Sequence, residues 1–142
     1  MRFYMLLATA LAAAALPSSQ LEHSNNLEAR VASCTSSKGN PNRAEIEALG
    51  NDLQKTNPDE QVALNRRKQL TFTFGSSRIC VANDFIFENT HVKRSDIGRG
   101  AINALNRCCR GGSCQGTAET IFGDSGLSLR LFIADSDWPC DK

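Results

Sequence analysis

Residues 95–109 read SDIGRGAINALNRCC, and this stretch decides the fold. Its apolar side chains recur at helical spacing in one stripe, formed by Ile97, Ala101, Ala104, Leu105 and Cys108. The stripe predicts an amphipathic helix that packs against a sheet, with Ser95 as its N-terminal cap and Asp96 in its first turn. Cys108 then points into the core, whereas Cys109, about 100° around the helix, points elsewhere. The adjacent cysteines can therefore bridge to two different elements.

Two glycines, Gly98 and Gly100, lie inside this helix. Each weakens a helix by up to about 1 kcal/mol relative to alanine. Two such residues in one helix indicate either close packing against a neighbouring element or a helix that depends on disulfide bonds for its stability.

Short strands are predicted on both sides of the helix. After it, residues 117–122 and 127–133 have strand-like patterns, and the turn Gly123-Asp124-Ser125-Gly126 joins them. Before it, residues 70–74 alternate apolar and β-branched polar side chains, residues 78–82 carry Ile79, Cys80 and Val81, and the small residues between the two segments can turn. The sequence therefore predicts a hairpin on each side of the helix.

Two helix starts precede the first hairpin. The capping-box spacing of Asn42 and Glu45 predicts a helix over residues 40–55. Asn57-Pro58-Asp59-Glu60 is a second start, with proline and acidic residues in its first turn, and predicts one or two further helical turns. The order of elements predicts an α+β fold in which a small antiparallel sheet of about four strands carries two helices packed on one face.

All six cysteines lie outside the N-terminal leader, and they are Cys34, Cys80, Cys108, Cys109, Cys114 and Cys140. An even number in a small exported chain predicts three disulfides, and about 12 pairings stay open once the adjacent pair is excluded from bonding to itself. The chain has no Cys-x-x-Cys pair, and both His23 and His91 are far from any cysteine in the sequence. We therefore expect no metal site and no cofactor.

The first residues predict export. Residues 1–19 have the pattern of a signal peptide, with Arg2 before an apolar run of about 13 residues, which is shorter than a membrane span. Residues 20–33 predict a flexible N-terminal arm or propeptide, and residues 34–142 a disulfide-stabilised α+β domain. Without Arg2, the 16 basic residues become 15, against 15 acidic ones. This balance predicts no long-range attraction to nucleic acid or to an anionic membrane. No later stretch is long and apolar enough to predict an integral membrane segment.

No catalytic residue is predicted. Residues 123–126 match the four letters around the nucleophile of trypsin-like proteases, but the chain is far too short for that two-barrel fold, so we interpret them as a turn. His91 has Glu88 and Arg94 nearby in sequence but no visible catalytic partner, so we interpret it as a surface histidine. We therefore predict that the protein is not an enzyme.

Two kinds of surface site are predicted instead. Trp138 is an aromatic anchor for a partner, or else packs on the terminal disulfide, and Asp124 and Ser125 lie on a turn that a rigid frame could present to the same partner. The basic clusters that end at Arg67 and Arg94 are dibasic signals for a processing protease of the secretory route.

The layout from Arg78 to Cys140 resembles that of small secreted cysteine-rich fungal effectors, and in particular of smut-type killer toxins and related necrosis-inducing effectors. A cysteine-bearing strand at Cys80 precedes a helix that begins near Ser95, and the Cys108-Cys109 pair ends that helix.

The resemblance implies a monomeric, non-enzymatic virulence protein that binds a plant host protein, in the apoplast or after translocation into host cells. A killer-toxin-like or antimicrobial protein is the alternative, and a small secreted hydrolase is the second alternative.

Overall fold

The computed structural model describes residues 33–35, 39–111 and 113–140. These ranges contain two helices, α1 (Arg43–Lys55) and α2 (Arg94–Cys108). They also contain nine strands, which are β1 (Ser33–Thr35), β2 (Gln61–Leu64), β3 (Gln69–Phe74), β4 (Ser77–Ala82), β5 (Thr90–Lys93), β6 (Cys109–Arg110), β7 (Ser113–Cys114), β8 (Gly116–Phe122) and β9 (Ser128–Asp135). The predicted signal peptide and residues 20–32 of the predicted arm lie outside the described residues. Ser33, predicted to end that arm, begins β1.

The main sheet confirms both predicted hairpins and the α+β class. Its strand order is β1-β8-β9-β4-β3, and every neighbouring pair is antiparallel. The hairpins are β3–β4 and β8–β9, and they join where Ile79 of β4 lies opposite Ile133 of β9. The sheet has five strands rather than about four, because β1 pairs with β8. Two further ribbons, β2–β5 and β6–β7, were not predicted.

The predicted stripe of α2 is buried along its whole length, as expected. Four of its residues, from Ile97 to Leu105, belong to one apolar cluster with residues of α1 and with Leu129, Leu131 and Ile133 of β9. Side chains alternate along a strand, so Phe132 contributes to a second cluster, together with the Cys80 and Cys140 sulfurs. The second cluster is small, which makes the disulfide a substantial part of it.

Helix α1 starts at the predicted place, but only half of the predicted capping box forms. The Asn42 Oδ1 atom accepts hydrogen bonds from the backbone N–H groups of Ala44 and Glu45, at 2.9 and 3.3 Å. The Glu45 carboxylate does not return to Asn42. It accepts from the Ser76 backbone N–H and hydroxyl, at 2.9 and 3.0 Å. Hydrogen bonds from the Ser77 hydroxyl and from Ser76 lower the pKa of Glu45 and fasten α1 to the β3–β4 turn.

Two sequence-based predictions near the second helix are wrong. No helix follows Asn57, because residues 61–64 instead pair with β5. Ser95 does not cap α2, which begins at Arg94, with Lys93 at the cap position and no side-chain cap. The first N–H groups of α2 are satisfied by the loop between α1 and β2, since Arg94 donates to the Glu60 carbonyl at 3.0 Å and Ser95 to the Pro58 carbonyl at 3.1 Å. A side-chain cap is therefore unnecessary.

The three predicted disulfides are present, and they pair Cys34 with Cys108, Cys80 with Cys140, and Cys109 with Cys114. The first ties β1 to the end of α2, the second ties β4 to the C-terminal tail, and the third closes the β6–β7 ribbon. The adjacent cysteines thus bridge to different elements, as their angular separation on a helix predicts. None of the helices in the described ranges is both long and apolar enough to span a bilayer.

Candidate functional site

An exposed apolar loop follows β4, and it consists of Phe85, Ile86 and Phe87. Their exposed fractions are 37%, 49% and 84%. Large apolar side chains that are adjacent in space and exposed to water mark interaction sites more often than single exposed ones do. We refer to these three residues as the apolar loop.

The buried side chain of Asn83 holds the apolar loop in place. Asn83 is 1% exposed, and its amide Nδ2 donates to the carbonyls of Leu64 at 3.1 Å and Glu88 at 2.9 Å. Its Oδ1 atom accepts from the Phe85 N–H at 3.0 Å. One amide group therefore satisfies a donor and an acceptor at the two ends of the loop. These hydrogen bonds fix the position of the loop backbone, although its side chains are exposed to water.

A turn with three positive charges lies against the apolar loop. Its residues are Arg66, Arg67 and Lys68, all exposed, and we refer to them as the basic turn. The Arg67 N–H donates to the Phe85 carbonyl at 3.2 Å, and the Asn83 N–H donates to the Lys68 carbonyl at 3.0 Å. Among the described residues, no carboxylate forms an ion pair with these three side chains.

Two acidic residues flank the apolar loop. The Asp84 carboxylate is paired with Arg130 at 2.8 Å, and the Arg130 guanidinium also lies 4.9 Å from the ring centre of Phe132. Glu88 is exposed at the other end of the loop. The three cations of the basic turn therefore outnumber the one carboxylate of this region that has no cationic partner among the described residues.

The only role predicted from the sequence for either segment is processing at Arg67. The available signal was three large apolar residues in a row between polar residues, from Asn83 to Asn89. The function of Asn83 could not be read from the sequence, because its amide contacts Leu64, which is 19 residues away. Arg67 has a positive φ of 55°, in the left-handed region, which a turn accommodates.

His91 lies at the surface, as interpreted from the sequence, but it has a partner that was not predicted. Its Nδ1 atom lies 3.2 Å from Asp124 Oδ2, and its backbone N–H donates to Asp124 Oδ1 at 2.9 Å. The Thr90 hydroxyl donates to the same Oδ1 atom at 3.0 Å, and the Ser125 hydroxyl donates to Thr90 at 2.8 Å. These contacts join the 123–126 turn to β5. The Ser125 hydroxyl is directed to Thr90, so the geometry is not that of a serine nucleophile activated by histidine.

Asp124 gives a pH-dependent contribution to stability. The His91 N–H, the Thr90 hydroxyl and the nearby imidazole lower the pKa of Asp124 below its ordinary value of 3.8. The ionised carboxylate therefore stabilises the fold above that value, and the stabilisation is lost as the pH falls through the lowered pKa. We expect Asp124→Asn to lower the urea midpoint of unfolding near neutral pH, and the difference from wild type to vanish under strongly acidic conditions.

The matched control for this experiment is Asp137→Asn, at an exposed acid in the C-terminal tail. It should leave the urea midpoint unchanged across the same pH range. An Asp124→Asn protein with the same midpoint as wild type at neutral pH would show that the contacts to Thr90 and His91 contribute nothing.

The other predicted site residues lie apart from the apolar loop in sequence and in their contacts. Trp138 is half-buried, and its ring meets Phe132 edge-on with 6.2 Å between ring centres. Arg78 donates to the carbonyls of Ser136 and Trp138, which fastens the tail. Arg94 donates to the Thr56 carbonyl at 3.1 Å and has carboxylates of α1 and the following loop within 4 Å. Processing at Arg67 and Arg94 stays a prediction.

No protein-family model matches the chain, and no curated protein matches its sequence. Within the ranges that the structure describes, no group of three or more histidine, cysteine or acidic side chains is placed to hold a metal ion.

Proposed function

We propose that the protein is a secreted, non-enzymatic effector-type protein that binds a target on plant host cells through the apolar loop. The observation that carries this proposal is the contrast between the 84% exposed Phe87 side chain and the buried Asn83 amide that fixes the loop. A phenylalanine held in water is unfavourable by about 1.5 to 3 kcal/mol relative to a buried one. A partner that covers the loop recovers that free energy.

The rigidity of the loop also favours binding. A contact segment that is already ordered loses little conformational entropy when it meets its target. Asn83 supplies that order within the loop, and the Cys80–Cys140 disulfide anchors β4, from which the loop leaves the sheet. Three disulfides and a leader of secretory type support an extracellular protein, and the resemblance to fungal effectors supports a plant host.

The apolar loop is a better contact surface than the residues expected from the sequence. Asp124 and Ser125 use their polar atoms in contacts with His91 and Thr90, and Trp138 is half-buried against Phe132. A partner that engages these residues would have to replace contacts within the protein. A partner that engages Phe87 would replace only water.

Phe87→Ser tests the proposal. The substitution removes the most exposed apolar side chain without removing any interaction in the core, so the fold should remain intact. We expect binding of the mature protein to plant protoplasts to weaken at least tenfold, because the lost burial of one phenylalanine corresponds to that factor or more. The measurement is a saturation binding curve with fluorescently labelled protein.

The control is Phe74→Ser, at a phenylalanine that is 53% exposed and lies at the opposite end of the β3–β4 hairpin. This variant should bind as wild type does. Equal binding by wild type and both variants would refute the apolar loop as the contact surface. Equal loss of binding in both variants would show that any exposed phenylalanine contributes to binding, whether or not it lies in the apolar loop.

A further inference from the structure

We infer that the apolar loop and the basic turn together form a site for an anionic lipid surface, an inference that rests on the function proposed above and names its target. The two segments are joined by backbone hydrogen bonds, of which the one from Arg67 to Phe85 measures 3.2 Å. They therefore lie side by side at one edge of the molecule, and the side chains of both are exposed.

The apolar component has the chemistry of a membrane anchor. Phe85, Ile86 and Phe87 are consecutive and exposed. Apolar and aromatic side chains that project from a protein surface can enter the boundary between the headgroups and acyl chains of a bilayer without spanning it. None of the three has a polar group that would need a hydrogen-bonding partner there.

The basic component selects the charge of the lipid. The mature chain is predicted to be neutral overall, yet three exposed cations without carboxylate partners in the described ranges are gathered in residues 66–68. Asp84 is neutralised by Arg130, so Glu88 is the opposing charge of this region. Each basic side chain near an anionic bilayer raises the affinity about fivefold, so three raise it about a hundredfold.

The same features fit a lipid surface better than a protein. Hot spots of protein interfaces are enriched in tryptophan, tyrosine and arginine set in complementary pockets. The apolar loop contains no tryptophan or tyrosine, and its Phe87 side chain is 84% exposed. The two arginines of the basic turn are exposed and have no carboxylate partner in the described ranges. Binding to an anionic bilayer requires apolar side chains that can insert and positive charges, but no complementary shape. The apolar loop supplies the first and the basic turn the second.

Sedimentation with lipid vesicles tests the inference. The mature protein is mixed with vesicles of phosphatidylcholine alone or of equimolar phosphatidylcholine and phosphatidylserine. We expect binding to the anionic vesicles only, weakening as salt is added. A triple variant with Arg66→Gln, Arg67→Gln and Lys68→Gln should bind about a hundredfold more weakly. Phe87→Ser should bind at least tenfold more weakly.

The matched control removes three exposed cations elsewhere, with Lys55→Gln, Arg99→Gln and Arg110→Gln. It has the same net charge as the triple variant of the basic turn, and it should bind the anionic vesicles as wild type does. Equal loss in both triple variants would overturn the inference, because net charge would then explain the binding without a local site. Circular dichroism of each variant verifies that it is folded.

The failures of the two proposals are distinguishable. If wild type binds no vesicle while Phe87→Ser still loses binding to protoplasts, the lipid inference is overturned and the target is a protein. If Phe87→Ser affects neither, both proposals are overturned. A dimer that Phe87→Ser dissociates, detected by sedimentation equilibrium, would also overturn the lipid inference, because a second copy would then be the partner that covers the loop.

Discussion

Removal of the Cys80–Cys140 bridge, with Cys80→Ser and Cys140→Ser together, should lower the free energy of unfolding by about 4 kcal/mol. The bridge closes a loop with a sequence separation of 60 residues, and it therefore restricts the unfolded chain strongly. Both sulfurs are buried beside Phe132 in the smaller apolar cluster, so two serine hydroxyls would also be placed in an apolar site. Urea denaturation of the double variant measures the loss.

The Cys109–Cys114 bridge is the matched comparison. Its sequence separation is 5 residues, so the same loop-entropy argument gives a loss of only about 2 kcal/mol. Equal losses for the two double variants would contradict the argument from loop length. An unchanged urea midpoint in the Cys80 and Cys140 variant would contradict the larger claim that the bridges hold this small fold together.

Gly98→Ala should lower the free energy of unfolding by about 2 to 3 kcal/mol. Helix propensity alone gives the opposite sign, since alanine is favoured over glycine by about 1 kcal/mol inside a helix. A Cβ atom at Gly98 would lie 2.4 Å from the backbone carbonyl oxygen of Gly50, because α1 and α2 cross here with their backbones close together. Backbone cannot rotate away as a side chain can, so the helices must separate. Thermal unfolding of the variant decides the sign.

Two further variants isolate the cause. A Cβ atom at Gly100 would meet side-chain atoms of Ile121 and Leu131, at 2.6 and 3.1 Å, which can shift, so Gly100→Ala should be less destabilising than Gly98→Ala. Asn103→Ala, at an exposed position of α2, should stabilise slightly through propensity. A stabilised Gly98→Ala protein would show that the helices do not approach each other closely at Gly50.

The sequence predicts correctly those elements in which apolar residues recur at a regular spacing. The stripe of α2 and the alternation along β9 follow from the spacing of apolar residues, and both are confirmed. Close packing was one of the two explanations for the glycines at positions 98 and 100 of α2. The short distances from these positions to Gly50 and Ile121 support it. The apolar stripe and the alternation depend on residues that are close in the sequence, and the close packing depends on the small size of glycine. Both can be read directly from the residue types.

Non-local pairing accounts for the features that were missed. Residues 61–64 follow a good helix-start signal, yet they form β2 because β5, about 30 residues later, satisfies their backbone groups. The contact between Asp124 and His91 also joins residues that are 33 positions apart, so no local pattern indicates it. The candidate site was missed because the fixed position of the apolar loop depends on the contact from Asn83 to Leu64, and no local pattern encodes that contact.

Amide hydrogen exchange of the mature protein, free and bound to plasma-membrane vesicles from plant cells, tests most directly whether the apolar loop is the contact surface. We predict that binding slows exchange in residues 83–89 and 65–68 and leaves the rest of the described chain unchanged. Slowed exchange around Asp124 and Trp138, with none in the apolar loop, would contradict the proposed function and return the contact surface to the residues expected from the sequence.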